Sequence, residues 1–446
     1  MIKNIFIFFV LITMSLQSFS QVNSYDETAL LFSQEKLNGT ARYLAMSGAF
    51  GAVGGDLSAI EINPAGMVVF NNSTSSISFD VNKKSNTNNF SNLKSNYKAT
   101  TLNFAHAGGL IVFNNGSENW NKFAISATTT ISNNFKNSIY LNGNNNISNE
   151  SYFLEPDNTA ELYNIVESQK MNNITTGTNS KTTFSIAARV NKKISLGFSV
   201  INNSVDFSQD VQVRENSKDI NDETFKGVLN QTLDVYGQGI GFNFGLLARP
   251  IGNLRLGVSL KTPTWYGLTE NFTQNKTTYL SNYVDLEQPD NIDSTFEYEL
   301  MTPAKFTGSI AYVFGKSGLL SLDYSYKDFG SMHISPNSEF EYENNYINDN
   351  LNVVSSLNVG GEYRLKYLSL RGGFHLENTP YKDNENYSTA MISAGFGFKT
   401  SSTATLDFAF NTAEYYEKKY YLNTSNNMDL SKNKENKFTV TYSVNF

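Results

Sequence analysis

Phe438-Thr-Val-Thr-Tyr-Ser-Val-Asn-Phe446 ends the chain. Phe438, Val440, Tyr442, Val444 and Phe446 fall on one face of an extended strand, and Thr439, Thr441, Ser443 and Asn445 on the other. The apolar face of such a strand needs an apolar solvent. In a transmembrane β-barrel that solvent is lipid, and the polar face looks into the lumen. The last strand of a soluble β-sandwich would show the same alternation, so the decision passes to the rest of the sequence.

The opposite end, Met1-Ile-Lys-Asn-Ile-Phe-Ile-Phe-Phe-Val-Leu-Ile-Thr-Met-Ser-Leu16, places Lys3 before an apolar run, with small residues following at Ser18 and Ser20. This is the layout of a secretory signal peptide over residues 1–20, cut between Ser20 and Gln21. The run falls short of the roughly 20 residues a spanning helix needs. Export to the outer membrane of a Gram-negative cell is the expectation.

Composition agrees with a barrel. The 446 residues include 33 Phe and 25 Tyr, the residue types of aromatic girdles, but only 2 Trp. A mean hydropathy of −0.34 excludes a bundle of membrane helices. It does not exclude a barrel, whose lumen face and loops are polar. The chain has no cysteine, which removes disulfides, thiolate metal sites and thiol nucleophiles. A net charge of −7 without a basic stripe disfavours nucleic acid as a partner.

Period-two apolar runs number about fourteen, an even count as bacterial single-chain barrels require. Representative runs are Phe184-Ile186-Ala188-Val190, Ile240-Phe242-Phe244-Leu246 and Leu320-Leu322-Tyr324-Tyr326. Short turns at residues 191–193, 250–253, 315–318, 365–367 and 400–403 alternate with long Asn-rich segments at 129–182, 203–236, 262–302, 328–355, 377–389 and 412–436. The rhythm predicts an antiparallel transmembrane barrel over 73–446, with tight turns at one end and external loops at the other. Helical spacing of Leu162, Ile165 and Val166 after a possible cap at Asp157, and of Phe225, Val228 and Leu229, predicts short loop helices. Their apolar faces would pack loop on loop or line a groove for a hydrophobic ligand.

Residues 21–72 precede the first strand. Small residues dominate Gly48-Ala-Phe-Gly-Ala-Val-Gly-Gly-Asp56, and Asn63-Pro64-Ala65-Gly66 follows. Small side chains allow close backbone packing, which suits a plug inside a barrel better than a periplasmic tail. These two stretches resemble the N-terminal hatch of the FadL/TodX family, outer-membrane transporters of long-chain fatty acids and aromatic hydrocarbons. Thr262-Pro263 and Thr302-Pro303-Ala304 resemble that family's Thr-Pro elements beside barrel strands. The resemblance implies a hatch without an open pore, ligand capture by external loops, and sideways exit through a gap at a kinked strand. It also implies that Asn63, Pro64, Ala65 and Gly66 belong to the hatch element that responds to ligand.

If the apolar partners face lipid, alternation turns Arg189, Arg255, Lys261, Asp323, Glu362, Arg364, Arg371, His375 and Asp407 inward. Arg255, Lys261 and Arg371 could hold a carboxylate headgroup. Cross-strand ion pairs are the plainer reading of the same residues. Only three histidines exist, and Ser369, His375 and Glu377 lie along one strand face without converging, so an enzyme is not expected. No cofactor or metal is expected either. The leading reading is a monomeric transporter of a fatty acid or similar hydrophobic molecule, delivered to the membrane by the outer-membrane assembly machinery. Its ligand site would draw on Leu162, Ile165, Phe225 and Leu229. The alternatives are an adhesin or haem-binding barrel, and a general porin.

Overall fold

The computed structural model describes residues 24–446 apart from 91–92, 116–118, 145–164, 219–221, 281–289, 385–386 and 420–428. The expected signal peptide and Leu162 lie outside the described residues. Strand segments are β1 (Thr74–Phe90), β2 (Leu93–Asn114), β3 (Lys122–Asn134), β4 (Asn137–Asn144), β5 (Ile165–Arg189) and β6 (Ile194–Lys218). Then come β7 (Thr224–Ala248), β8 (Leu254–Lys261), β9 (Trp265–Leu280), β10 (Asp290–Met301), β11 (Lys305–Val313) and β12 (Gly318–Asp328). The remainder are β13 (His333–Ser335), β14 (Val353–Arg364), β15 (Leu368–Glu377), β16 (Thr389–Lys399), β17 (Ala404–Lys419) and β18 (Asp429–Asn445). β3 with β4, β8 with β9, β10 with β11, and β12 with β13 each form one broken span, so the wall has fourteen spans.

Every pairing is between antiparallel neighbours, and β1 joins β18 from Thr74↔Asn445 to Thr87↔Lys432, which closes the barrel. Closure removes the free edges at the two ends of the sheet, the condition for β-structure in lipid. The outward face is apolar: Phe79, Phe184, Ile186, Phe244, Val258, Leu320, Ile392 and Phe410 are all exposed. Tyr312, Phe314, Tyr363, Tyr367 and Phe398 ring the short-turn end, and Tyr236, Trp265 and Tyr326 the other.

The long segments differ from the expected loops. Most of 165–182, 203–218 and 224–236 continues β5, β6 and β7. From Asn202 to Lys218 β6 advances about 50 Å at roughly 3.3 Å per residue, far beyond the 9–11 residues or so that cross a bilayer. Alternation persists there, but its phase reverses. In the membrane band Leu196, Phe198 and Val200 face outward. Beyond it Ile201, Val205, Phe207, Val211 and Val213 are buried inside, while Asp206, Asp210 and Asn216 face water. The strand has left lipid, so its apolar face turns to the interior.

The two expected loop helices are therefore corrected. Ile165 and Val166 belong to β5, and Phe225, Val228 and Leu229 to β7. An i, i+4 spacing fits a strand face as well as a helix face. Phe225 and Leu229 are buried on the inner face of the extended β7.

Helices are few: α1 (Tyr25–Ser33), α2 (Ala41–Ala45) and α3 (Glu341–Asn350). α1 inserts into an apolar core between the extended strands. Phe32 meets Phe135 and Phe207 at centroid distances of 5.7 Å each, and Tyr25 meets Phe340 at 4.9 Å. α3 covers this core through Ile347.

Candidate functional site

The segment before β1 bonds to inward-facing groups on strands around much of the wall. Ala41 N donates to Thr441 Oγ1 at 2.7 Å, Asn411 Nδ2 to Leu44 O at 2.9 Å, and Phe50 N and Gly51 N to Asp323 Oδ2 at 2.9 and 2.8 Å. Burial is nearly complete from Thr40 to Val53. The small residues read from the sequence make this possible, because backbone here lies directly on backbone.

Asn63-Pro64-Ala65-Gly66 is the tightest seat. Asn63 caps a 3₁₀ helix, Pro64–Val69, its Oδ1 accepting from Ala65 N at 3.1 Å, with Pro64 at the first helical position. Its Nδ2 donates inward to Gly51 O at 2.8 Å and outward to Leu246 O on β7 at 3.0 Å. The wall opposite is bare. A Cβ at Gly197 would stand 2.3 Å from Ala65 N, and one at Gly245 would stand 2.2 Å from Asn63 Oδ1. Only glycine admits this approach.

Two charge groups, each built around a buried residue, Glu362 and Lys181, tie the inner segment to the wall. Glu362 accepts from Arg42 at 2.8 Å and from Arg371 at 2.7 Å, Arg371 reaches Asp407 at 2.6 Å, and Arg364 completes the set. In the second, Lys181 lies 3.1 Å from Glu35 and 2.9 Å from Glu61, and Lys261 also holds Glu35. Burial alone would raise the Glu35 carboxyl, but the Lys181 and Lys261 ammonium groups hold it well below the usual carboxylate range. Burial opposes ionisation of Glu61 too, and Lys181 again lowers it.

The inward set read by alternation is thus largely in place, with Asp323, Glu362, Arg371, His375 and Asp407 buried. Of the three headgroup candidates, Arg371 is ion-paired and Lys261 engages Glu35. Arg255 Nη1 donates to Val53 O at 2.6 Å.

Open space lies beside this segment. One cavity of about 190 Å³ is bounded by Leu37, Lys305, Lys327, Phe329, Met391 and Tyr387. A second, of about 270 Å³, is lined by Asp80, Asn82, Thr101, Asn103, Asn133 and Lys136. Lys36, Glu435 and Lys437 border both. The second cavity sits where the wall parts. β2 pairs with β3 only from His106↔Thr130 to Asn114↔Lys122; β3 then bulges between Ile131 and Asn133, and β4 pairs with β5 alone. Among the described residues, no ladder bond joins β2 to β3 or β4 beyond His106↔Thr130. Among the described residues, side chains bridge the parting: Asn134 Nδ2 to Asn103 Oδ1 at 3.3 Å, and Asn86 of β1 to Asn137 of β4. The sequence reading missed Lys305 and this parting. Lys305 follows Thr302-Pro303-Ala304 directly, but nothing in that motif says that its side chain borders a cavity, and a broken strand in an Asn-rich segment carries no local signal. No cluster of His, Asp and Glu able to hold a metal occurs among the described residues.

The Thr-Pro elements also come together. Thr302 N donates to Thr264 O at 3.0 Å, and Thr264 N to Thr302 Oγ1 at 2.9 Å, so the breaks between β8 and β9 and between β10 and β11 lie side by side.

No family model matches the sequence, and no curated protein does either. Solved structures do match in fold. A FadL homologue from Pseudomonas aeruginosa aligns over 93% of this chain and 100% of its own, at 12% identity and a TM-score of 0.61. The toluene transporter TodX of Pseudomonas putida aligns over 93% and 100%, at 12% identity and 0.56. The toluene transporter TbuX of Ralstonia pickettii aligns over 92% and 98%, at 16% identity and 0.54. Over nearly its whole length, the chain has the barrel fold shared by the FadL homologue and the toluene transporters TodX and TbuX.

Proposed function

We propose that the protein is an outer-membrane transporter for hydrophobic small molecules, with long-chain fatty acids or related amphiphiles as its cargo. The observation that supports this most is the combination of an occupied lumen with a parted wall. A barrel filled by its own N-terminal segment is a poor porin for hydrophilic solutes. One with cavities leading to an unladdered seam between β2 and β3–β4 can release an apolar molecule sideways into lipid. The names of the fold relatives point the same way.

In this reading the ligand enters between the extended strands by parting buried apolar side chains, Phe225 and Leu229 on β7 and the core around α1. Burial favours it by about 25 cal/mol per Å². Asn63, Pro64, Ala65 and Gly66 form the joint that must yield if the hatch is to respond to ligand. A second arrangement stabilised by ligand requires that ligand bind it more tightly than the first. The protein works as a monomer placed by the assembly machinery. The experiment is extraction of the purified protein followed by mass spectrometry of bound small molecules, then competition with palmitate. Retained fatty acid displaced by palmitate is expected. Retained haem, or no apolar ligand together with steady ohmic conductance in a planar bilayer, would replace this reading by the haem-binding or porin alternative.

A further inference from the structure

The short-turn end carries a charge pattern that the transport reading does not use. Five of its turns, residues 190–193, 249–253, 314–317, 365–367 and 400–403, contain no Asp or Glu. The same turns and the strand end beside them expose Lys192, Lys193, Lys316, Lys366 and Lys399. None of these lysines has a carboxylate partner among the described residues; Lys366 lies over the Tyr367 ring at 5.1 Å. The lysines are interleaved with exposed apolar tips, Ile251, Phe314, Leu365 and Tyr367. These tips continue the apolar band formed by Leu246, Tyr312, Leu320, Tyr363 and Phe398.

We propose that this rim binds the phosphates of anionic phospholipids in the leaflet it faces, a proposal that rests on the membrane-spanning reading and not on the identity of the cargo. A lysine whose stem lies along an apolar wall extends its ammonium to the polar boundary, the height at which lipid phosphates lie. Aromatic and aliphatic tips beside it anchor in the same interfacial layer. An acidic protein would satisfy the charge but not the ring of apolar tips continuous with the lipid-facing wall. The ring of cations therefore fixes the barrel's height and selects its lipid neighbours.

The test uses the full mature chain in nanodiscs of equal parts phosphatidylglycerol and phosphatidylethanolamine. Lipids retained after release in the mass spectrometer are counted for wild type and for two variants. One combines Lys192→Gln, Lys193→Gln, Lys316→Gln, Lys366→Gln and Lys399→Gln; the other replaces the same five with Arg. Heat-modifiable gel mobility establishes that each is folded. Wild type and the Arg variant should retain phosphatidylglycerol in severalfold excess, falling with added salt, and the Gln variant should retain the two lipids equally. A wild type without preference, or a Gln variant that keeps it, overturns the proposal. So does photo-crosslinking from positions 316 and 366 in cells that captures an acidic periplasmic protein and no phospholipid. Lipid selection is read without any cargo, so failure of the transport reading leaves this result interpretable.

Discussion

Asn63 joins three pieces of backbone with one side chain, so its loss should be felt beyond its own turn. Asn63→Ala leaves Gly51 O and Leu246 O without that donor. The expected cost is about 1–3 kcal/mol in seating the inner segment. It should appear as frequent channel openings in planar bilayers while the barrel keeps its heat-modifiable mobility. The Glu35–Lys181–Glu61 group gives a pH dependence. Both carboxyls are lowered in the folded protein. They therefore stabilise the seat above their unfolded value of about 4.3, and this contribution is lost as pH falls through the lowered folded values. Proteolysis of the N-terminal segment should stay slow at neutral pH and quicken only below that unfolded value; Lys181→Met should make it fast at neutral pH. Part of this was legible in the sequence. The turn at Asn63-Pro64 announces itself through local chemistry, and alternation alone turned Arg371 inward. Glu362 and Asp407 were turned inward by the same alternation, and Glu362 faces Arg371 across the tight β14–β15 hairpin; which inner-segment residues meet them, and which meet Gly197 and Gly245, depends on how that segment lies against the wall. No short-range pattern encodes that seating.

The strand elements show where periodicity informs and where it misleads. The membrane band reads directly, because lipid demands an apolar outward face. Above the band the same alternation continues with reversed phase, so β5, β6 and β7 looked like polar loops with short helices at Phe225–Leu229 and Leu162–Val166. Labelling should locate the reversal. Asp206→Cys should react with a membrane-impermeant maleimide on intact cells, and Val200→Cys, outward but in lipid, should not. Equal labelling would place the rim elsewhere. α1 is held by the apolar core of that extension. Phe32→Ala removes the ring packed between Phe135 and Phe207, at a cost of about 3–5 kcal/mol. Hydrogen exchange over Tyr25–Ser33 should then accelerate while that of β14 to β16 stays unchanged.

At the scale of the whole molecule, barrel, inner segment and parted wall are joined: a closed cylinder with its own N-terminal segment bonded inside it and a stretch of wall between β2 and β3–β4 without ladder bonds. Closure depends on the terminal strand, where β18 meets β1 and Phe446 N donates to Ser73 O at 2.9 Å. Phe446→Ala removes an exposed apolar ring from the strand that closes the barrel and should lower the folded fraction in membranes, read by gel mobility. The resemblance implied a gap in the wall, but its place was not legible, since it is defined by ladder bonds that β2 does not make. It is also the point at which transport of a hydrophobic cargo differs from every alternative. The decisive measurement locks it: Asn103→Cys with Asn134→Cys, replacing the side chains that bridge the parting at 3.3 Å, in cells assayed for uptake of radiolabelled oleate. Uptake should be lost when the pair is oxidised and return on reduction. Uptake unchanged by a disulfide shown to have formed would contradict a sideways route.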